Sequence, residues 1–75
     1  MATSVDVVAP VPGLVANVVA KVGATVAAGD PVVTLQAMKT EIAVESEHAG
    51  TVEAVLVREG QEVDLGAVLA RVRTA

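Results

Sequence analysis

The chain contains no cysteine and no phenylalanine, tyrosine or tryptophan. Without cysteine there is neither a disulfide nor a thiolate metal site, a composition that fits a reducing compartment. Without aromatics there is no platform on which nucleobases could stack. Basic residues are scarce as well: five Lys and Arg stand against nine Asp and Glu, the net charge is −4, and no basic run exists. A nucleic-acid partner is therefore not expected. Long apolar runs are also missing. The longest, from Val7 to Ala16, is broken by Pro10, Pro12 and Gly13, so no membrane span is expected. The opening Met1-Ala2-Thr3-Ser4 has no charged region before an apolar run, so no secretory signal is read there and the expected location is the cytoplasm.

What the chain does have is valine, 18 of its 75 residues. The length suits one small domain with one modest core, and the expectation is a single domain over residues 1–75. Each buried valine contributes about 1.5–3 kcal/mol, so the core must be the sum of many modest contributions. β-Branched side chains favour strands over helices, which makes the expected fold class all-β.

Leu35-Gln36-Ala37-Met38-Lys39-Thr40-Glu41-Ile42 reads as a hairpin. Setting Leu35 opposite Ile42 and Val33 opposite Val44 gives one wholly apolar face. The same register sets Thr34 opposite Ala43 and Gln36 opposite Glu41 on a mostly polar face. A slip of one residue would put apolar against polar, so the pattern selects this register. The remaining turn is Met38-Lys39, an unusual choice. Two-residue hairpin turns require positive φ and favour Asn-Gly or other Gly-containing pairs. A lysine flanked by Ala37 and Met38 at such a tip points to a requirement other than folding.

Elsewhere, Ser4–Val8 reads as an edge strand and Pro10 and Pro12 as a crossing segment. Gly13–Val22 reads as a longer, bulged strand and Thr25-Val26 as a very short one. Val32–Ala37 and Thr40–Glu45 form the hairpin, Glu47-His48-Ala49-Gly50 a turn, and Thr51–Val57 and Val68–Val72 the remaining strands. A repeat underlies this order. A shift of 37 residues carries Gly13 onto Gly50, Val15 onto Val52, Val18 onto Val55, Gly23 onto Gly60, Val26 onto Val63 and Gly29 onto Gly66. Two units of this size cannot each bury a core, so they are expected to pack on one another. The same shift makes the lysine turn and the pair of chain termini equivalent positions, which places Lys39 at the end of the domain opposite both termini.

Catalytic groups are sparse. His48 is the single histidine and sits in a polar turn, where solvation is the expected state. Glu41, Glu45 and Glu47 are close in sequence, but outward carboxylates on strands are mostly solvated and no pocket is indicated to make an acid/base pair. The glycines lack the Gly-Lys-Ser/Thr of a phosphate loop. A chain so equipped joins a reaction as a carrier.

Ala37-Met38-Lys39 resembles the Ala-Met-Lys-Met motif of biotinyl domains, the biotin carboxyl carrier modules of biotin-dependent carboxylases. Ala9-Pro10, Pro12-Gly13, Val26 with Gly29-Asp30, Ala49-Gly50-Thr51-Val52, Glu59-Gly60, and Val63 with Gly66 agree with that family, so the resemblance runs from about Val7 to Val72. It implies a flattened antiparallel β-barrel, a barrel-sandwich hybrid of two four-stranded sheets with pseudo-two-fold symmetry. It implies biotin joined covalently to Lys39 by a biotin protein ligase that reads Gln36, Ala37, Met38 and Thr40. It further implies a non-catalytic carrier serving a biotin carboxylase and a carboxyltransferase, of acyl-CoA carboxylase type. Two neighbours of the lysine depart from the family: Gln36 stands where Glu is usual, and Thr40 where the second Met is usual. The interval from Val18 to Val32 has no room for the protruding thumb of some bacterial carriers, so the thumbless type is implied.

Two other readings share the fold. A lipoyl carrier more often has Asp before the lysine and Ala after it, unlike Met38 and Thr40. An unmodified hybrid-barrel adaptor needs no lysine at the tip. Met1 is compatible with a free-standing subunit and equally with one domain of a larger enzyme.

Overall fold

The computed structural model describes residues 3–74, all in strands and their connections. Eight strands follow in order: β1 (Thr3–Val8), β2 (Gly13–Val18), β3 (Thr25–Val26), β4 (Pro31–Ala37), β5 (Thr40–Glu45), β6 (Gly50–Val55), β7 (Glu62–Val63) and β8 (Val68–Thr74). They form two antiparallel four-stranded sheets, ordered β1-β8-β6-β3 and β5-β4-β2-β7. The 37-residue shift maps each of β1 to β4, end to end, onto β5 to β8. It also maps the connecting hydrogen bonds. Gly23 N–H donates to Val52 O as Gly60 N–H does to Val15 O, and Val19 N–H donates to Val32 O as Leu56 N–H does to Leu69 O. The repeat in the sequence is thus a two-fold repeat in space, and each short strand completes the sheet built mainly by the other half. β3 pairs with β6, and β7 with β2.

Aliphatic side chains fill the space between the sheets. Leu35, Leu69, Val32, Val33 and Val72 are fully buried, and Val15 and Val52 nearly so. Bulges explain the adjacent buried pairs. Ladder register shifts between Pro31 and Val33, and at Leu69 between the Val7–Ala70 and Val8–Val68 pairs. An extra residue there lets two neighbours both face inward, against the period of two.

All seven expected strands are present, five of them with shifted ends. β2 stops at Val18 rather than Val22, and β6 at Val55 rather than Val57. After Val18 the chain must leave its sheet so that β3 can pair across on the other, and Val19 and Ala20 both donate to the carbonyl of Val32 as it turns. β7 was not expected as a strand: it is two residues long and bordered by turns, below what alternation can reveal.

Connectivity sets the lysine turn and the chain ends apart. β4 runs about 20 Å from Ala37 back to Pro31, and Pro31 pairs with Glu45. Residues 46–49 then lead to Gly50, which packs against Arg73, beside the Thr3–Thr74 pair. In a molecule measuring 39 × 17 × 17 Å, the hairpin tip and the Thr3–Thr74 pair lie at opposite ends. Residues 1, 2 and 75, on which the expectation for the termini themselves falls, lie outside the described residues.

Candidate functional site

The β4–β5 hairpin has the register that its apolar pattern selects. Val33 faces Val44, Thr34 faces Ala43, Leu35 faces Ile42, Gln36 faces Glu41, and Ala37 faces Thr40. Leu35 and Val33 are fully buried and Val44 nearly so, which anchors both arms of the hairpin in the core. A third strand lies close beside it. A Cβ on Gly13 would fall 2.7 Å from the carbonyl oxygen of Gln36, so only glycine lets β2 approach β4 just below the tip.

The tip itself is strained. Met38 has φ 50° and Lys39 has φ 66°, the only non-glycine residues with positive φ among those described. Both central residues are left-handed, as in a type I′ turn, which suits the twist of a tight hairpin. For L residues with side chains this conformation costs on the order of 1–2 kcal/mol each. Nothing in the packing offsets that cost, since Met38 is 97% exposed and Lys39 is also exposed. Among the described residues Lys39 has no carboxylate within ion-pair distance; the one ion pair, Arg71 Nε to Asp6 Oδ1 at 3.2 Å, lies on the other sheet. The geometry therefore presents an unencumbered primary amine on a rigid stalk. That arrangement suits acylation of the amine by an enzyme that can close around a narrow tip.

The other residues expected at the site flank the turn on the two hairpin arms. Gln36 and Thr40 are exposed, and Ala37 is half-buried at the base of the turn. Glu41, Glu45 and Glu47 are exposed. His48 is exposed too, far from the tip at the opposite end of β5. A groove of about 580 Å³ opens between the edge strands β1 and β5 over Val7, Val44 and Glu45; Lys39 takes no part in it.

Ser46 is a residue that sequence reasoning passed over. It is buried, its hydroxyl donates to the carbonyl of His48, and its backbone N–H donates to Asp30 O at 2.9 Å. Its counterpart in the repeat, Ala9, is equally buried and makes the matching backbone bond to Ala67 O. A Ser-to-Ala match across a repeat gives no signal of burial, so only the structure reveals it.

The family described as "Biotin-requiring enzyme" matches residues 2–72. The chain belongs to the biotin/lipoyl family. It is a biotinyl domain, the biotin carrier of biotin-dependent carboxylases. The biotin carboxyl carrier protein of Streptococcus mutans is 43% identical over 58 residues, which cover 77% of this chain and 45% of that protein. The biotin-dependent acyl-coenzyme A carboxylase alpha3 subunit of Mycobacterium leprae is 41% identical over 73 residues, 96% of this chain and 12% of the subunit. The crystal structure of the Kluyveromyces lactis urea carboxylase superimposes with a TM-score of 0.89 and 33% identity, covering 93% of this chain and 6% of that one. The biotinyl domain thus spans less than half the length of each. The flattened barrel expected from the resemblance is the fold observed, and the relatives' names favour biotin over lipoate.

Proposed function

We propose that Lys39 is the residue to which biotin is attached, and that a biotin protein ligase attaches it. The observation that carries this reading is the turn: Met38 and Lys39 hold positive φ without gaining any packing, at the end of the domain away from the Thr3–Thr74 pair. The Nζ of Lys39 attacks the carboxyl carbon of biotinyl-adenylate, an amide forms, AMP leaves, and the amine gives up a proton. Biotin held there supplies a ureido nitrogen able to carry a carboxyl group. The protein's own contribution is positional. The Leu35–Ile42 and Val33–Val44 pairs fix the stalk, and the exposed tip gives the arm reach. Tethering then converts an encounter between separate active sites into one at high effective concentration.

The whole protein's activity follows as part of the same proposal. The arm takes its carboxyl group at a biotin carboxylase and delivers it at a carboxyltransferase acting on an acyl-CoA, in the cytoplasm. The Mycobacterium leprae relative, matched over nearly all of this chain, supports the acyl-CoA assignment. No helix of the described residues is long and apolar enough to cross a membrane.

The test is intact mass after incubation with biotin protein ligase, biotin and ATP, followed by peptide mapping. One biotin increment on the peptide containing Lys39 is expected. An increment on Lys21, or modification only by a lipoate ligase, overturns the reading. Carboxyl transfer to acyl-CoA, but not to pyruvate or urea, by the biotinylated domain with matching partner subunits would fix the acceptor.

A further inference from the structure

Side chains that a peroxide can oxidise are almost absent from this domain. Peroxides act first on cysteine thiolates and methionine thioethers. The chain has no cysteine, tryptophan or tyrosine, and two methionines, Met1 and Met38. Met1 lies outside the described residues. Met38 is 97% exposed, against 68% for Leu65 and 64% for Val22. The turns that hold Leu65 and Val22 place the left-handed conformation on the glycine that follows, Gly66 or Gly23. Only the hairpin tip puts it on residues with side chains, Met38 and Lys39. A thioether is thus held in open water, beside the acceptor amine, in a conformation that glycine would adopt more easily.

That exposure decides what oxidation does. In a core, turning a thioether into a sulfoxide sets a polar oxygen among apolar groups and disrupts the packing. At the tip the side chain is in water in both forms, so the fold has no packing to lose. The cross-strand pairs that hold the hairpin, Leu35–Ile42 and Val33–Val44, lie below the tip and contain no sulfur. Lys39 keeps its charge and its exposure. The change is therefore felt only by a molecule that closes over the tip. Such a molecule covers an apolar thioether before oxidation. Afterwards it covers a strong acceptor on a new stereocentre, and an acceptor taken out of water without a donor is penalised.

We propose that Met38 is a site of reversible oxidation, and that its sulfoxide suppresses biotin attachment at Lys39 while the domain stays folded. The inference rests on the reading of Lys39 as the acceptor. The oxidant is hydrogen peroxide. The sulfur lone pair of Met38 attacks one peroxide oxygen, an S–O bond forms, the O–O bond breaks, and water leaves after proton transfer. Sulfur gives up two electrons, and the peroxide takes them. The reverse step needs a dithiol and a methionine sulfoxide reductase: the oxygen leaves as water, and the dithiol becomes a disulfide. The chain has no thiol of its own, so those electrons come from outside it. The effect precedes acylation. It acts on the free domain that a ligase has yet to modify, not on the amide once made.

The whole chain is treated with hydrogen peroxide, the peroxide is removed, and peptide mapping scores one added oxygen on Met38 and on Met1. Thermal unfolding and steady-state biotinylation by biotin protein ligase are then measured before and after treatment. Oxidation at Met38 is expected to leave Tm unchanged and to lower kcat/KM for the domain about tenfold, as a buried acceptor without a donor does. Methionine sulfoxide reductases A and B, one for each epimer, supplied with dithiothreitol, should restore the rate to within twofold of the untreated protein. Met38→Leu separates the two methionines, because it keeps an apolar side chain at the tip and leaves Met1 as the only thioether. Whatever its starting rate, peroxide should not change it. Four results overturn the proposal: a Met38 that stays unoxidised, an oxidised and folded domain with kcat/KM within twofold of the untreated one, an equal loss in Met38→Leu, or a loss that the reductases do not reverse. A lowered Tm after oxidation overturns it as well, since the fold would then depend on the thioether. An untreated parent that takes no biotin at Lys39 refutes the underlying reading, a result distinct from all of these.

Discussion

Gly50 packs against the carbonyl oxygen of Arg73 so closely that a Cβ would overlap it. Gly13 stands in the same relation to Gln36, at 2.7 Å from an added Cβ. In both places the obstacle is backbone within a sheet and cannot swing aside. Gly50→Ala and Gly13→Ala are each expected to cost about 1–3 kcal/mol, read as a lower urea midpoint at unchanged m. They should differ in function. Gly13 abuts the strand that ends in the lysine tip, so Gly13→Ala should also slow biotin incorporation per folded molecule. Gly50 abuts the far end, and its variant should not. A midpoint equal to the parent's for either variant would refute the close approach.

Ser46 gives a gentler test of the core. Its buried hydroxyl donates to the His48 carbonyl. Ser46→Ala removes that bond, at an expected cost of about 1 kcal/mol. The cost should not be larger, because the repeat already holds Ala9 buried in the equivalent place. Ser46→Val should be worse than Ser46→Ala, since that site lies against the Gly29 and Asp30 backbone. Thermal unfolding of the two variants checks both the sign and the order.

These contacts also mark what was legible in advance. The hairpin register could be read because Leu35, Ile42, Val33 and Val44 alternate strictly with polar neighbours, and a slip would invert the pattern. Pseudo-symmetry could be read because all six glycines fall into three pairs under one shift, two pairs in turns of positive φ and one where strands approach too closely for a side chain. Bulges at Val32 and Leu69 could not, because two adjacent buried aliphatics look the same as a broken alternation. Neither could the pairing of β2 with β7, since which strands lie side by side follows from chain crossing rather than from local pattern. The lysine was visible by its wrongness: Met-Lys is a poor turn, and its φ values show the strain that the sequence implies.

The two lysines of the chain supply an internal control for attachment. Lys21 is exposed in a connection, and its counterpart in the repeat is Arg58, so a generic cation serves there. Arg keeps the charge of Lys but offers no amine that an adenylate would acylate. Lys39→Arg is expected to unfold within about 0.5 kcal/mol of the parent, as an exposed substitution does, and to take no biotin. Lys21→Arg should match the parent in both assays. Biotin on the Lys39→Arg protein, found by peptide mapping, would show that another residue is the acceptor.

The turn should trade stability against function. Met38 holds φ 50° with its side chain 97% exposed, so the side chain adds strain and no packing. Glycine adopts that φ freely, although it gives the unfolded chain more entropy to lose. The net expectation for Met38→Gly is a gain of about 0.5–1 kcal/mol, a rise of several degrees in Tm for a domain this small. If the ligase reads Met38 beside the lysine, the same variant should take biotin more slowly. Met38→Asp probes the second effect alone. Aspartate tolerates the left-handed region better than most residues, so its stability should lie near the parent's, while the change from thioether to carboxylate should move modification from biotin towards lipoate. Met38→Gly with a lower Tm would mean that the methionine supports the fold after all. Met38→Gly with a higher Tm and an undiminished rate would mean that the ligase ignores the side chain, and that the strain in this turn serves some other end.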